Sequence, residues 1–278
     1  MRHFVALALA VGTFAPAAVP ADPLSVFQPT RVRPISITPA DERALRALPP
    51  LDAFGTLRGT RSPGFDEVGS AREAARAAGR PLRLPAHVPV SVAGAVRYEV
   101  TQPTRTTFTF SAAKAAAWAK EEKVALVPFP PGLDGTSYTA TLAPVAIVTY
   151  GTPPRRSHER GARRGAYLTV VQAPVPRVVA RGASLETLVT WFTRQPGISP
   201  ALAAQVRAIG DPTQTLPIPV RFDRNTATSI DVDGVEGLAI GDETGIGSAI
   251  VWTKGGTLYA VGGTFAQSSL LALAGGLR

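Results

Sequence analysis

The sequence predicts an α+β fold, in which an antiparallel β-sheet with a C-terminal meander is packed by several helices. Three observations support this single-domain prediction. Between residues 66 and 278, short runs of alternating apolar and polar residues are interspersed with Ala-rich helical segments. Paired turn residues separate the last strands. An apolar content of 45% supplies enough side chains for a core.

Residues 1–21 have the order of features of a secretory signal peptide. A charged start is followed by an apolar run from residue 4 to 14 and then by small residues, with Ala17 or Ala21 as the last residue removed. We therefore expect a cleaved, secreted or periplasmic protein. The alternative is membrane anchoring by an uncleaved signal, although the apolar run is shorter than a bilayer span.

Residues 22–65 are expected to form a Pro-rich linker or an arm laid over the main domain. One helix is predicted within this segment. Thr38 can cap it, Pro39 fits its first position, and it would run to about Leu48, before two consecutive prolines.

The domain proper is predicted over residues 66–278, beginning with a helix at 66–79. Ser70 and Glu73 stand at the spacing of a capping box within that helix. Alternation and capping then predict strands and one helix in the following order: strands 95–101 and 106–110, helix 112–123, and strands 138–142, 145–150 and 167–172.

Two helices are expected to interrupt the strands as an insertion near 184–210. Ser184 can cap the first helix, and Ser199-Pro200 opens the second. A meander follows, with strands at 229–232, 235–240, 248–253 and 257–262 and a closing helix at 268–274. Asp233-Gly234 and Gly255-Gly256 are hairpin turn signals between these strands.

Both ends of this domain contain short motifs that can be compared with those of known proteins. The first end reads Ser-Ala-Arg-Glu-Ala-Ala at 70–75 and Leu-Arg-Leu-Pro-Ala-His-Val-Pro at 82–89; the second has Val-Asp-Gly-Val-Glu-Gly at 232–237 and Leu-Tyr-Ala-Val-Gly-Gly at 258–263. Together they resemble an uncharacterised bacterial extracytoplasmic domain found on the outer side of anti-sigma-factor-like and sporulation-associated membrane proteins. The resemblance implies a non-catalytic sensing, binding or scaffold module without established active-site residues.

The residue inventory argues against most catalytic chemistry, so we expect no enzyme activity and no cofactor. There is no cysteine, and only His87 and His158 follow the signal segment. A run of acidic residues is expected to lie in turns and at strand edges. If two of its carboxylates instead acted as a catalytic pair, the protein would be a secreted hydrolase, which is a further alternative. The members of the run are Asp223, Asp231, Asp233, Glu236, Asp242 and Glu243.

A basic loop between two predicted strands is a candidate site for an anionic partner. It contains Arg155, Arg156, Arg160, Arg163 and Arg164. Several guanidinium groups together could hold an envelope protein, an anionic envelope polymer or a membrane surface, whereas the plainer interpretation is a solvated loop. The net charge of +9 does not by itself indicate nucleic acid. No aromatic residue is interleaved in the loop, so nucleic acid is not an expected partner.

Aromatic side chains define a possible apolar pocket lined by Phe108, Phe110 and Trp252. Ordinary core packing is the favoured role for these three. If they instead enclose a cavity, the protein would be a periplasmic carrier of a lipid or lipoprotein. The leading prediction is an exported, non-catalytic module for binding or sensing at the bacterial cell envelope.

Overall fold

The computed structural model describes residues 25–59, 64–92, 94–153, 165–223, 225–241 and 247–278. These residues confirm the predicted α+β fold, with antiparallel sheets packed by helices. The strands are β1 Ser25–Phe27, β2 Arg31–Ser36, β3 Gly55–Gly59, β4 Phe65–Val68, β5 Val96–Thr101, β6 Thr104–Phe110, β7 Ser137–Leu142, β8 Ala146–Gly151, β9 Tyr167–Pro174, β10 Arg177–Arg181, β11 Thr215–Val220, β12 Ala227–Val232, β13 Val235–Ile240, β14 Ser248–Lys254 and β15 Thr257–Gly263. The helices are α1 Pro39–Arg46, α2 Ala71–Ala77, α3 Ala112–Glu122, α4 Leu185–Phe192, α5 Pro200–Arg207 and α6 Gln267–Gly275, with short 3₁₀ turns at Leu51–Ala53 and Val90–Val92.

The strands form two antiparallel sheets and one parallel pair. The five-stranded sheet has the order β1-β10-β7-β6-β3, and the eight-stranded sheet has the order β12-β13-β14-β15-β9-β8-β5-β4. Strands β11 and β2 form the parallel pair. The predicted meander makes up one half of the eight-stranded sheet, because β12 to β15 pair in sequence order.

Proline marks three corners at which the described chain passes directly between the two large sheets. Pro103 lies between β5 and β6, Pro144 lies between β7 and β8, and Pro176 lies between β9 and β10. Proline has no N–H to donate to a ladder, so it suits the point at which strand pairing ends. These corners let the two sheets turn their inner faces toward one core.

The main core lies between the two large sheets. Phe108, Phe110 and Tyr138 of the five-stranded sheet belong to the same cluster as Val251 and Leu258 of the eight-stranded sheet. The Phe110 ring meets the ring of Phe108 edge to face, with centroids 4.8 Å apart. Such pairs add to the stabilisation from buried apolar area.

A second core covers the opposite face of the eight-stranded sheet. Val170, Ile250 and Val261 of this sheet pack in one cluster with Leu270 and Ala274 of α6. The eight-stranded sheet is therefore apolar on both faces, whereas the five-stranded sheet has one core face and one outward face.

Residues 25–59 differ from the expected linker or arm, because they contribute three strands. Strand β1 pairs with β10, β2 pairs with β11 and β3 pairs with β6. Phe27 is fully buried in the main core. Pro34 is accommodated in β2 because that strand has a single neighbour and needs ladder bonds on one side only. The partners are remote in sequence, which is why local pattern does not reveal these strands.

The start of the domain also differs from prediction. Residues 66–79 were expected to be helical, but Phe65–Val68 is a strand that pairs with β5, and the helix spans only Ala71–Ala77. The Ser70 hydroxyl accepts a hydrogen bond from the Glu73 amide, as capping requires. Both helices predicted near 184–210 form. No helix in the described parts of the chain combines the length and apolarity that a bilayer span requires.

Candidate functional site

The candidate site is the outward face of the five-stranded sheet. Side chains alternate across a strand, so the burial of Phe108 and Phe110 turns Thr107 and Thr109 of β6 outward. The same alternation in β7 buries Tyr138 and leaves the neighbouring hydroxyl residues on the outward face. These neighbours are Ser137, Thr139 and Thr141.

Strand pairing arranges the outward side chains in three rows that cross the sheet, each bearing at least one arginine. Row one is Arg105, Thr141 and Arg177; row two is Arg58, Thr107, Thr139 and Val179; row three is Thr56, Thr109, Ser137 and Arg181. Hydroxyl groups therefore occupy the middle of the sheet, and arginines flank them on β3 and β6 on one side and on β10 on the other. We call this surface the arginine face.

A cleft of about 490 Å³ lies over the middle of the arginine face. Its lining residues are Arg105, Thr107, Ser137, Thr139, Thr141, Arg177, Val179 and Arg181. The arginines are exposed and the central hydroxyl residues are mostly half-buried. A ligand that approaches from solvent would therefore contact the guanidinium groups first.

The arginines of this face lie on strands without acidic residues. Strands β3, β6, β7 and β10 contain no Asp or Glu. Among the described residues, the face arginines form no ion pair with a carboxylate, in contrast to Arg33 with Glu236 and Arg221 with Asp223. Threonine alone would be ordinary for an exposed strand. The clustering of four arginines on one sheet face, on strands without acidic residues, makes this face a candidate surface for anions.

Hydroxyl groups on the floor of the cleft already bond to one another. The Oγ1 atoms of Thr107 and Thr139 lie 2.9 Å apart across the β6–β7 pair. A hydroxyl can donate one hydrogen bond and accept two, so each retains capacity for a ligand. The arrangement can hold an anion by charge-assisted hydrogen bonds and can pair with ligand hydroxyls beside it.

The loop arginines predicted to hold an anionic partner lie outside the described residues. They are Arg155, Arg156, Arg160, Arg163 and Arg164. The arginine face is a separate set of residues, which lie on β3, β6, β7 and β10.

The residues predicted to line an apolar pocket are not brought together. Phe108 and Phe110 pack in the core between the sheets, whereas Trp252 belongs to the cluster beneath α6. Trp252 stacks on Tyr259, with ring centroids 5.2 Å apart. The physical reason is side-chain alternation, which turns Trp252 away from the face of its sheet that meets Phe108 and Phe110.

Four members of the acidic run have separate partners. Asp223 pairs with Arg221, Asp233 pairs with Lys254, and Glu236 pairs with Arg33. An Asp231 carboxylate oxygen accepts a hydrogen bond from the Gly234 amide within the hairpin turn. Asp242 and Glu243 lie outside the described residues. Within the described ranges, no three His, Cys, Asp or Glu residues are grouped as metal ligands.

Sequence reasoning missed the arginine face, although part of its signal is local. Alternation of hydroxyl and bulky residues in β6 and β7 is visible in the sequence, and the Arg-Val-Val-Ala-Arg run of β10 begins and ends on one face. The local sequence does not predict that β10 pairs with β7 and that β3 pairs with β6. This pairing places the arginines around the hydroxyl groups.

Comparisons of this chain with protein-family models, curated proteins and solved structures found no match.

Proposed function

We propose that this chain is an exported, non-catalytic module that binds an anionic polymer at the bacterial cell envelope. The observation that carries the proposal is the arginine face, where Arg58, Arg105, Arg177 and Arg181 surround a floor of hydroxyl groups on strands that contain no Asp or Glu. Export rests on the signal-peptide pattern of residues 1–21.

Several contacts at once favour a polymer over a small anion. An exposed pairing of a guanidinium group with an anion contributes at most about 1 kcal/mol and is weakened by salt. A ligand that meets all three rows can sum such contacts. The arginines stand on paired strands of one sheet, so their backbones are already ordered before binding, which lowers the entropy cost of association.

The chemistry of the face supports binding rather than bond breaking. Guanidinium groups remain protonated at physiological pH and act as hydrogen-bond donors. A threonine or serine nucleophile would need a base beside it. In the three rows, the outward side chains are arginine, threonine, serine and valine, and none of these is such a base.

Salt elution from heparin–agarose tests the binding proposal, with heparin as a generic anionic polymer. The variant Arg177→Gln/Arg181→Gln removes two charges from the face. We expect it to elute at clearly lower salt than the wild type. The control Arg72→Gln/Arg76→Gln removes two exposed charges from α2 and leaves the net charge equal to that of the face variant. Equal shifts for both variants, or none for either, would contradict a specific role of the face.

Mass spectrometry of the secreted or periplasmic protein tests export. The full chain is expressed in a bacterium and recovered from outside the cytoplasm. The expected N-terminus is Ala18 or Asp22, after cleavage at Ala17 or Ala21. Recovery of uncleaved chain in the cytosolic fraction alone would overturn this part of the proposal.

A further inference from the structure

The arginine face has a direction, because its hydroxyl floor is elongated along β7. Ser137, Thr139 and Thr141 follow one another at every second residue of this strand. Successive members are therefore separated by about 7 Å, and the three span about 13 Å. A ligand that lies along this line contacts one row after another.

Arginines line both sides of that floor. Arg105 on β6 and Arg177 on β10 both stand opposite Thr141, so their Cα atoms are separated by two strand spacings, about 10 Å. Both long side chains can turn toward an anion above Thr141. Arg181 stands beside Ser137 in row three, and Arg58 stands in row two with Thr139. Each row can therefore hold one anionic group.

We propose that the ligand of the arginine face is a linear phosphodiester polymer of small polyol units, lying along β7 with one phosphate at each row. This inference rests on the proposed function and adds the ligand's chemical class and direction. The arginine fork matches phosphate geometry, and the hydroxyl floor matches the free hydroxyls of a polyol.

The spacing of the rows supports a phosphodiester with a short linker. A three-carbon polyol joined through phosphodiesters has the same number of backbone bonds per repeat as two amino-acid residues. Such a repeat extends over roughly 7 Å, because two residues of extended chain cover that length. This matches the separation of rows along β7.

The outward side chains also favour this ligand over nucleic acid, although the phosphates of nucleic acid have a similar spacing. The three rows contain arginine, threonine, serine and valine but no aromatic residue. Single-stranded nucleic acids gain affinity by stacking bases on aromatic side chains. A polyol has no base to stack, so the absence of aromatic side chains from the three rows does not weaken its binding.

The test compares glycerol-phosphate oligomers with oligothymidylate of equal phosphate number, each titrated against the full mature chain at fixed salt. We expect the glycerol-phosphate oligomers to bind at least about threefold more tightly, since one hydrogen bond to a ligand hydroxyl is worth about this factor. Their affinity should rise as the oligomer lengthens to span the three rows, and then level off.

Two variants test the hydroxyl floor and the arginines separately. Thr139→Val removes a floor hydroxyl and keeps a β-branched side chain; it should weaken glycerol-phosphate binding about threefold and leave oligothymidylate binding unchanged. Thr228→Val, at an exposed position of β12, is the matched control and should change neither. Arg177→Gln/Arg181→Gln should weaken both ligands about tenfold.

The outcomes separate this inference from the proposed function. If oligothymidylate binds as tightly as glycerol phosphate, or Thr139→Val has no effect, the polyol assignment is overturned; loss of binding in the arginine variant would then still support a generic anion-binding face. If neither ligand binds the wild type and heparin–agarose does not retain it, both proposals fail.

Discussion

Asp41 and Ser199 join the beginnings of two helices that are far apart in the sequence. The Ser199 hydroxyl donates a hydrogen bond to Oδ1 of Asp41, at 2.6 Å, and accepts one from the Leu202 amide at the start of α5. The other carboxylate oxygen of Asp41 accepts hydrogen bonds from the amide and hydroxyl of Thr38, which caps α1. Asp41 is only 5% exposed, so this network holds the N-terminal segment against the helical pair.

Replacement of Asp41 by asparagine should destabilise the fold. The amide keeps the size of the side chain but cannot accept on both sides, so a hydrogen bond to a charged acceptor is lost, at a cost of about 1–3 kcal/mol. Ser199→Ala should cost about 1–2 kcal/mol through its cap and its bond to Asp41. Urea unfolding of both single variants and of the double variant measures these values.

The hydrogen bond between Asp41 and Ser199 should make the losses of unfolding free energy in the two single variants non-additive. The double variant should lose less than the sum of the two single losses, because the shared hydrogen bond can be removed only once. Asp52→Asn, at an exposed carboxylate, is the control and should change stability by less than about 0.5 kcal/mol. A loss for Asp41→Asn no larger than this control would contradict the role given to the network.

Acid should weaken the fold partly through the same carboxylate. Hydrogen bonds from Ser199 and then from Thr38 hold the pKa of Asp41 below its ordinary value of 3.8. The folded state therefore binds this proton less readily than the unfolded state. Its contribution is fully present above the unfolded pKa and is lost as the pH falls through the folded pKa.

Unfolding free energies measured in urea between pH 7 and pH 2 test this dependence. The wild type should lose stability below about pH 4, and Asp41→Asn should show a shallower loss over the same interval. The slope will not vanish in the variant, because the pKa values of Asp211 and Asp233 are also lowered by their hydrogen-bond partners Thr213 and Lys254. Parallel curves for the variant and the wild type would contradict the assignment.

Gly182 follows β10 at the edge of the arginine face and should not tolerate a side chain. Its φ of +117° disfavours L-residues, and an added Cβ would lie 2.3 Å from Oγ1 of Thr136. That hydroxyl donates to the Gly132 carbonyl and accepts from the Ala183 amide, so it cannot move aside freely. Gly182→Ala should cost about 2–4 kcal/mol.

Gly79→Ala is the control for Gly182→Ala, because it tests the cost of a positive φ without a close contact to the added Cβ. Gly79 also has a positive φ, +65°, but an added Cβ would have no described atom within 4 Å. This variant should cost about 1 kcal/mol, since only the left-handed conformation is penalised. Urea unfolding measures both variants, and equal losses would show that the contact with Thr136 has no effect.

The salt dependence of polymer binding should report how many arginines of the face contact phosphates. For a single-stranded polyanion, log K decreases with log salt, and the magnitude of this slope decreases by about 0.7 for each phosphate contact removed. Arg177→Gln/Arg181→Gln should therefore reduce the slope for glycerol-phosphate oligomers by about 1.4. Arg72→Gln/Arg76→Gln should leave the slope unchanged, and an equal reduction in this control would indicate non-specific attraction to net charge.

Local signals predicted the elements whose cause is local. Thr38 caps α1 and forms a capping box with Asp41, as residues of those types at that spacing favour. Asp233 and Gly234 both adopt positive φ, 54° and 79°, as the predicted tight hairpin requires. The C-terminal meander follows, because each of its strands pairs with its neighbour in sequence.

Strands whose partners are distant were missed for a physical reason. The run Arg177–Arg181 is too short and mixed to indicate a strand, and it is held by β7 and β1 on its two sides. Residues 25–59 are rich in proline, and their strands are stabilised by hydrogen bonds to β10, β11 and β6. These ladders come from tertiary pairing, which outweighs a weak local preference.

The sequence by itself determined the fold class, the capped helices and the tight turns, because these depend on periodicity and on residues close together in the chain. Only the tertiary structure decided that two arginines of β10, one of β6 and one of β3 stand around a single hydroxyl floor. The physical reason is that cross-strand neighbours are set by register between segments remote in sequence, and a shift of one residue would turn the same arginines toward the core.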